Sequence, residues 1–312
     1  MRVIRPKALR RGDVIGICAP ASPASSSNEL ARGISYLERL GYRVELGRNV
    51  GRRRGYLAGT DRERASDLNQ LFADRDVKAI FTLRGGYGTQ RILPLLDHRV
   101  IRRNPKILVG YSDITALSLA LLTKFHLVTF SGPMVASEMA PGLKGEAEEQ
   151  FWRCLTSTHP PSMIPCSATR EPRVRKGRVS EGRLLGGNLS MVASLVGTRY
   201  FPDVSASILF LEEIDERPYR IDRMLRQLRD TPFIRNAAGV VFGRFTGCTA
   251  EPGKPSLTLG QVIGDTFTGH RFPLLSGLPY GHTKGSLTIP HGVKARLNAS
   301  RRTLEFLEAG VA

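Results

Sequence analysis

The 312-residue chain is short of several things, and each shortage excludes a class of protein. No apolar run reaches the roughly 18 residues that a membrane-spanning helix needs. The basic start MRVIRPKALRRGD is followed only by the apolar stretch Val14–Ala19, shorter than the roughly 7–15 residues of a secretory h-region. That stretch reads as a first buried strand, and the lack of an export signal predicts a cytoplasmic protein. Cysteine is scarce: Cys18, Cys154, Cys166 and Cys248 have no CxxC or Cys/His spacing. A disulfide framework or zinc site is therefore not expected, and buried thiols in a reducing compartment are. HExxH and His-x-His are missing, as are GxGxxG and a Walker lysine, so neither a metal nor a cofactor is expected. Acidic residues are the last shortage, 28 against 46 Lys and Arg, for a formal charge of +18.

Such a charge raises the question of nucleic acid. The basic residues are mostly arginines and are spread along the chain, densest at Arg52-Arg53-Arg54 and from Arg170 to Arg183. Neither cluster is interleaved with aromatics as a base-stacking platform would be. A solvated basic surface, or attraction to acidic substrates, is the better reading, without a specific nucleic-acid partner.

What is present is a βαβ rhythm. Val14–Ala19 closes at Pro20; Leu30, Ile34, Leu37 and Leu40 follow at helical spacing and stop at Gly41. Tyr42, Val44 and Leu46 alternate as a strand, and Thr60-Asp61-Arg62-Glu63 is a capping box opening a helix. Val77–Leu83 and Lys106–Gly110 read as further strands. The fold class is α/β, with a mostly parallel sheet in residues 1–150. Prolines and charge loosen the pattern afterwards, and 151–178 reads as a connection. A smaller α/β domain over 179–312 follows, with strands at Ile208–Leu211 and Gly239–Gly243, a helix near Ile221–Leu228, and a hairpin-like alternation from Leu287 to Leu297.

Several residues could carry chemistry. The strand Ile107–Val109 runs straight into Gly110-Tyr111-Ser112-Asp113 and then a helix. A serine at such a junction is lifted out of the sheet edge, with an amide and a helix N-terminus beside it; the alternative is an ordinary helix N-cap. The turn Arg84-Gly85-Gly86-Tyr87-Gly88 ends another strand of the same sheet. Ligands bind beyond the carboxyl ends of parallel strands, where glycines let backbone N–H groups approach them. A serine nucleophile needs a base and an orienting acid. His282, in Gly277-Leu278-Pro279-Tyr280-Gly281-His282, is the histidine with a distinctive setting, and Glu212-Glu213-Ile214-Asp215-Glu216 holds the acid candidates. Structural or exposed roles are the alternatives for both.

Together these stretches resemble the LD-carboxypeptidases of the murein tetrapeptide carboxypeptidase type, the serine peptidase family that also includes the microcin C immunity hydrolases. The stretches are GDVIGICAPAS (12–22), GYLAGTDRERASDL (55–68), IFTLRGGYGTQRILPLLD (80–97), ILVGYSDITAL (107–117), EGRLLGGNLSMVASLVGT (181–198), ILFLEEIDERPYRIDRML (208–225), GVVFGRF (239–245) and GLPYGHTKGSLTIPHGVKARL (277–297). They cover nearly the whole chain. The resemblance implies an N-terminal amidotransferase-like α/β domain and a smaller C-terminal domain, with the active site between them. It implies a Ser-Glu-His triad of Ser112, Glu212 and His282, with Glu213 left open as the acid, and an oxyanion hole from the N–H groups of Gly86 and Asp113. It further implies hydrolysis of the amide between an L-centre, lysine or diaminopimelate, and the terminal D-alanine of a murein tetrapeptide in cell-wall recycling, and a homodimer. Arg84 is a candidate anchor for the terminal carboxylate, with a packing or surface arginine as the alternative. Two other readings compete: a microcin C immunity-type hydrolase of aminoacyl-nucleotide-like amides, which needs an aromatic stacking surface, and a non-catalytic basic binding protein. A glutamine amidotransferase would want cysteine where Ser112 stands.

Overall fold

The computed structural model describes residues 3–167, 175–176 and 179–312. Much of the basic stretch Arg170–Arg183, with Pro172, therefore lies outside the described residues. Apolar, β-branched runs form the strands, and amphipathic runs opened by Ser, Thr, Asp or Asn form many of the helices. The N-terminal part runs β1 (Val14–Cys18), α1 (Ser27–Arg39), β2 (Arg43–Leu46), α2 (Asp61–Ala73), β3 (Val77–Thr82), α3 (Thr89–Ile92), α4 (His98–Arg103), β4 (Ile107–Val109), α5 (Ile114–Phe125) and β5 (Phe130–Ser131). The capping box at α2 forms as the sequence predicts: Thr60 accepts from the Glu63 amide, and Glu63 accepts from the Thr60 amide. A π-helical turn, Val135–Met139, and α6 (Gly145–Thr156) follow. α6 runs past residue 150 because Phe151, Cys154 and Leu155 give it a buried face.

The remainder contains β6 (Ile164–Pro165), β7 (Arg175–Lys176), β8 (Val179–Asn188), α7 (Leu189–Ser194), β9 (Ser207–Ile214), α8 (Pro218–Asp230), α9 (Pro232–Arg235), β10 (Gly239–Thr246), α10 (Leu259–Thr266), β11 (Leu274–Ser276), β12 (Ile289–Pro290), β13 (Lys294–Asn298) and β14 (Thr303–Phe306). Among the described residues these strands make two sheets, ordered β12-β5-β4-β3-β1-β2 and β6-β14-β13-β8-β9-β10-β11-β7. The first is parallel from β2 to β5. The second has a parallel centre, β8 to β11, with antiparallel flanks. The α/β class with a parallel sheet and a second domain is thus what the chain adopts.

The hairpin expected over Leu287–Leu297 does not form. Ile289–Pro290 pairs antiparallel with β5 in the first sheet, whereas Lys294–Asn298 lies between β8 and β14 in the second. Pro290 has no N–H with which to continue a ladder, and the chain crosses from one sheet to the other there. Successive side chains of β9 enter two different cores: Leu209 and Leu211 join α2, α5 and α8, while Ile208 and Phe210 join α1, α6 and β1. All four cysteines are buried and free, and burial pushes the Cys154, Cys166 and Cys248 thiols up to about 12. No described helix is long and apolar enough to cross a membrane.

Candidate active site

The turn that follows β4 and the later half of β9 meet at one place, through Ser112, His282 and Glu212. Ser112 closes the turn from β4 into α5 with φ of 63°, a left-handed conformation that side chains other than glycine rarely adopt. Gly110 makes the turn possible, since a Cβ there would meet Thr82 Oγ1 and the Ile114 side chain. Asp113, not Ser112, occupies the N-cap of α5, and it makes no side-chain cap bond. Ser112 is therefore free of the capping role that its local sequence allows.

The Ser112 hydroxyl lies 3.0 Å from His282 Nε2, and His282 Nδ1 lies 2.7 Å from Glu212 Oε2. With Nδ1–H donating to the carboxylate, Nε2 is left to accept from the serine hydroxyl. Glu212 is fully buried on β9. It also accepts from the His282 amide at 3.3 Å and from Asn188 Nδ2 at 3.2 Å. Burial pulls the His282 pKa down, but the hydrogen bond and charge of Glu212, with Glu213 and Glu138 behind, outweigh it and hold the imidazole above its ordinary value. The neighbouring carboxylate points elsewhere: Glu213 accepts from the Ser190 amide at 2.8 Å, the Ser190 hydroxyl at 2.6 Å and Asn188 Nδ2 at 2.8 Å. The structure brings Glu212, and not Glu213, to His282.

The glycine turn leans on the same elbow. A Cβ on Gly85 would stand 2.9 Å from Ser112 Cβ, so glycine is what lets the two turns touch. The buried Asp113 carboxylate accepts from the Thr89 amide at 2.9 Å and the Thr89 hydroxyl at 2.8 Å, which clamps the end of the turn to the start of α5. Ser22 supports it from below, accepting from the Tyr87 amide at 3.2 Å and donating to the Tyr56 carbonyl at 2.7 Å. Among the described residues, the amides of Gly86 and Asp113 have no hydrogen-bond acceptor. Arg84 is half-buried and donates to the Ser25 hydroxyl at 3.1 Å.

Beside His282 opens a pocket of about 630 Å³ whose lining includes Tyr111, Glu138, Leu143, Lys144, Tyr280 and Lys284. Tyr111 donates to Glu138 Oε1 at 2.8 Å, and its ring centre lies 5.0 Å from that of His282. Trp152 does not line this pocket; it is stacked on Tyr42 at 5.0 Å with its indole N–H on Tyr36.

This geometry has relatives. Residues 15–132 match the LD-carboxypeptidase N-terminal domain and residues 181–297 the LD-carboxypeptidase C-terminal domain. The chain belongs to the LD-carboxypeptidase family. It is a serine peptidase of the carboxypeptidase class. A probable murein peptide carboxypeptidase from Bacillus subtilis is 39% identical, over 98% of this chain and 95% of that protein. The crystal structure of muramoyltetrapeptide carboxypeptidase from Oxalobacter formigenes is 32% identical with a TM-score of 0.83, covering 94% of this chain and 97% of that one. The microcin C7 self-immunity protein MccF, in complex with aspartyl sulfamoyl adenosine, is 26% identical with a TM-score of 0.88, over 99% of this chain and 100% of that one.

Sequence reasoning missed several residues of this candidate site. Asn188, which bridges the two glutamates, was signalled only by Gly186-Gly187 before it, a mark of close backbone approach. Thr89 and Ser22 are ordinary loop residues in sequence. Glu138 had no signal, because it reaches the pocket through a π-helical turn in which Met139 and Ala140 donate five residues back to Met134 and Val135.

Proposed function

We propose that the protein is a cytoplasmic carboxypeptidase that removes the terminal D-alanine of murein tetrapeptides in cell-wall recycling, with Ser112, His282 and Glu212 as its triad. The observation that carries this reading is the continuous chain of hydrogen bonds, Ser112 Oγ to His282 Nε2 at 3.0 Å and His282 Nδ1 to Glu212 Oε2 at 2.7 Å. His282 takes the Ser112 proton as the hydroxyl attacks the carbonyl on the L-centre. The amides of Gly86 and Asp113 hold the oxyanion, Asp113 with the positive end of α5 behind it. The imidazolium then protonates the departing amine, D-alanine leaves, and water, activated by the same histidine, hydrolyses the acyl-enzyme. Glu212 fixes the tautomer and stabilises the imidazolium. Incubation of the purified protein with a murein tetrapeptide, read by mass, should show loss of one alanine; an unaltered peptide would remove this reading.

A second reading, hydrolysis of an aminoacyl-nucleotide-like amide, has one observation in its favour. Tyr56 and Tyr87 are 64% and 47% exposed, with ring centres 5.4 Å apart beside the Gly86 turn, a surface on which a base could stack. Turnover of an acyl-sulfamoyl adenosine against that of a tetrapeptide separates the two.

A further inference from the structure

Hydrogen bonds hold His282 at both ring nitrogens, Nδ1 on Glu212 and Nε2 on Ser112. Such bonds run in the plane of an imidazole, along its N–H and its lone pair, so they do little to resist a tilt out of that plane. The His282 side chain is 16% exposed and borders the pocket of about 630 Å³, which leaves room for that tilt. A tilt is costly to catalysis, because a displacement of about 1 Å in a reacting group can slow the reaction about 100-fold.

Against the ring stands Tyr111, 5.0 Å away between ring centres and inclined at 56°. Tyr111 is itself tied at both ends. Its carbonyl accepts from the Ile114 amide at 3.2 Å, where α5 begins. Its hydroxyl donates to Glu138 Oε1 at 2.8 Å. Burial and the charge of Glu138 hold that hydroxyl above its ordinary range, so it stays protonated and remains a donor. Glu138 is anchored in turn: Oε2 accepts from the Met134 amide at 2.8 Å, and the Glu138 amide donates to the Met134 carbonyl at 3.1 Å. A continuous line of contacts therefore runs from the π-helical turn through Glu138 and Tyr111 to the imidazole.

Resting on the triad proposed above, we infer that Tyr111 is a positioning residue for it. The Tyr111 ring keeps the His282 imidazole in line with Ser112 and Glu212, and Glu138 keeps the Tyr111 ring in place. The pair acts through His282 and not on the substrate.

Four variants test this on D-alanine release from a murein tetrapeptide, at a pH where His282 is neutral throughout: Tyr111→Ala, Tyr111→Phe, Glu138→Ala, and Tyr111→Phe with Glu138→Ala. Tyr111→Ala should lower kcat about 100-fold, with KM within about threefold of the wild type. Tyr111→Phe keeps the ring and loses only its anchor, so kcat should return to within about tenfold. Glu138→Ala should match it, and the double variant should be no slower than either single one, because both remove the same bond. A second measurement needs no substrate: the 15N shifts of the His282 imidazole in histidine-labelled protein, assigned with His282→Gln. The wild type should show the single Nδ1–H tautomer and Tyr111→Ala a mixture of both. A Tyr111→Ala kcat within about threefold of the wild type, a loss carried by KM, or an unmoved tautomer would overturn the inference. If Tyr111→Ala does not fold, additive losses in the other three variants overturn it equally. A wild-type protein that releases no D-alanine overturns the carboxypeptidase reading instead, and the tautomer then decides this inference alone.

Discussion

At the scale of single residues, the site depends on one strained position and two oriented acids. Ser112 is held at φ of 63° in a turn closely packed at Gly85 and Gly110, and its hydroxyl meets His282. Ser112→Ala should fold normally and lose activity by about a thousandfold or more, because triad members act as a unit; retained turnover in a D-alanine release assay would remove the serine from the mechanism. Glu212→Gln should cut the rate severely, whereas Glu213→Gln should lower the melting temperature more than the rate. The difference follows from their partners: His282 for Glu212, and the Ser190 amide and hydroxyl for Glu213. The pH dependence has a definite sign. A general base works only when neutral, and His282 is held above its ordinary value of about 6.5 by the neighbouring carboxylates. Activity should therefore rise with pH through one ionisation above that value. Glu138→Gln removes one of the charges that stabilise the imidazolium, so the midpoint of the kcat/KM profile should move to lower pH.

At the scale of elements, the site is a junction of turns rather than of strands. The strands deliver chain ends to one place, and three local devices then set the atoms: the Gly110 bend, the Gly85-Gly86 turn and the π-helical turn at Val135–Met139. The Asp113 carboxylate joins the first two, through its bonds to Thr89. Asp113→Ala leaves the buried Thr89 amide and hydroxyl without that acceptor, which should cost about 1–3 kcal/mol of stability. It should also loosen the Gly86 amide relative to Ser112, so kcat should fall in parallel. Denaturant melts and steady-state kinetics on the one variant check both; a stable variant with a reduced kcat would show that the clamp positions without contributing to folding.

At the scale of the whole molecule, Ser112 and His282 come from opposite halves, and the halves are interlocked. The late strand β12 completes the first sheet beside β5, and β6 borders the second beside β14. Asn188 at the end of β8 donates to Glu212 while its own amide bonds Thr115 on α5, so a single residue ties Glu212 to the helix that follows Ser112. Fragments 1–160 and 161–312 expressed separately should each lack a cooperative unfolding transition and, alone, any carboxypeptidase activity. The intact chain should unfold in one step monitored by calorimetry and by the fluorescence of Trp152, whose indole is set among Tyr36, Tyr42 and Phe81.

Much of this was legible in the residues alone, for a physical reason. Hydrophobic period, capping boxes and glycine or proline stops act between near neighbours in the chain. Strands such as Val77–Thr82, the Thr60 cap and the α/β class could therefore be read directly. The Ile107–Ser112 junction was legible too, because strand, glycine and helix are contiguous. What the sequence left open was anything decided by contacts far apart along the chain. Only the fold chose between Glu212 and Glu213, since neighbouring strand residues face opposite ways and the choice depends on which face meets His282. Only the fold sent Ile289–Pro290 to one sheet and Lys294–Asn298 to the other. It alone set Ser112 against a histidine 170 positions away and turned Glu138 into a pocket wall. Those outcomes depend on the packing of whole layers, which no local pattern encodes.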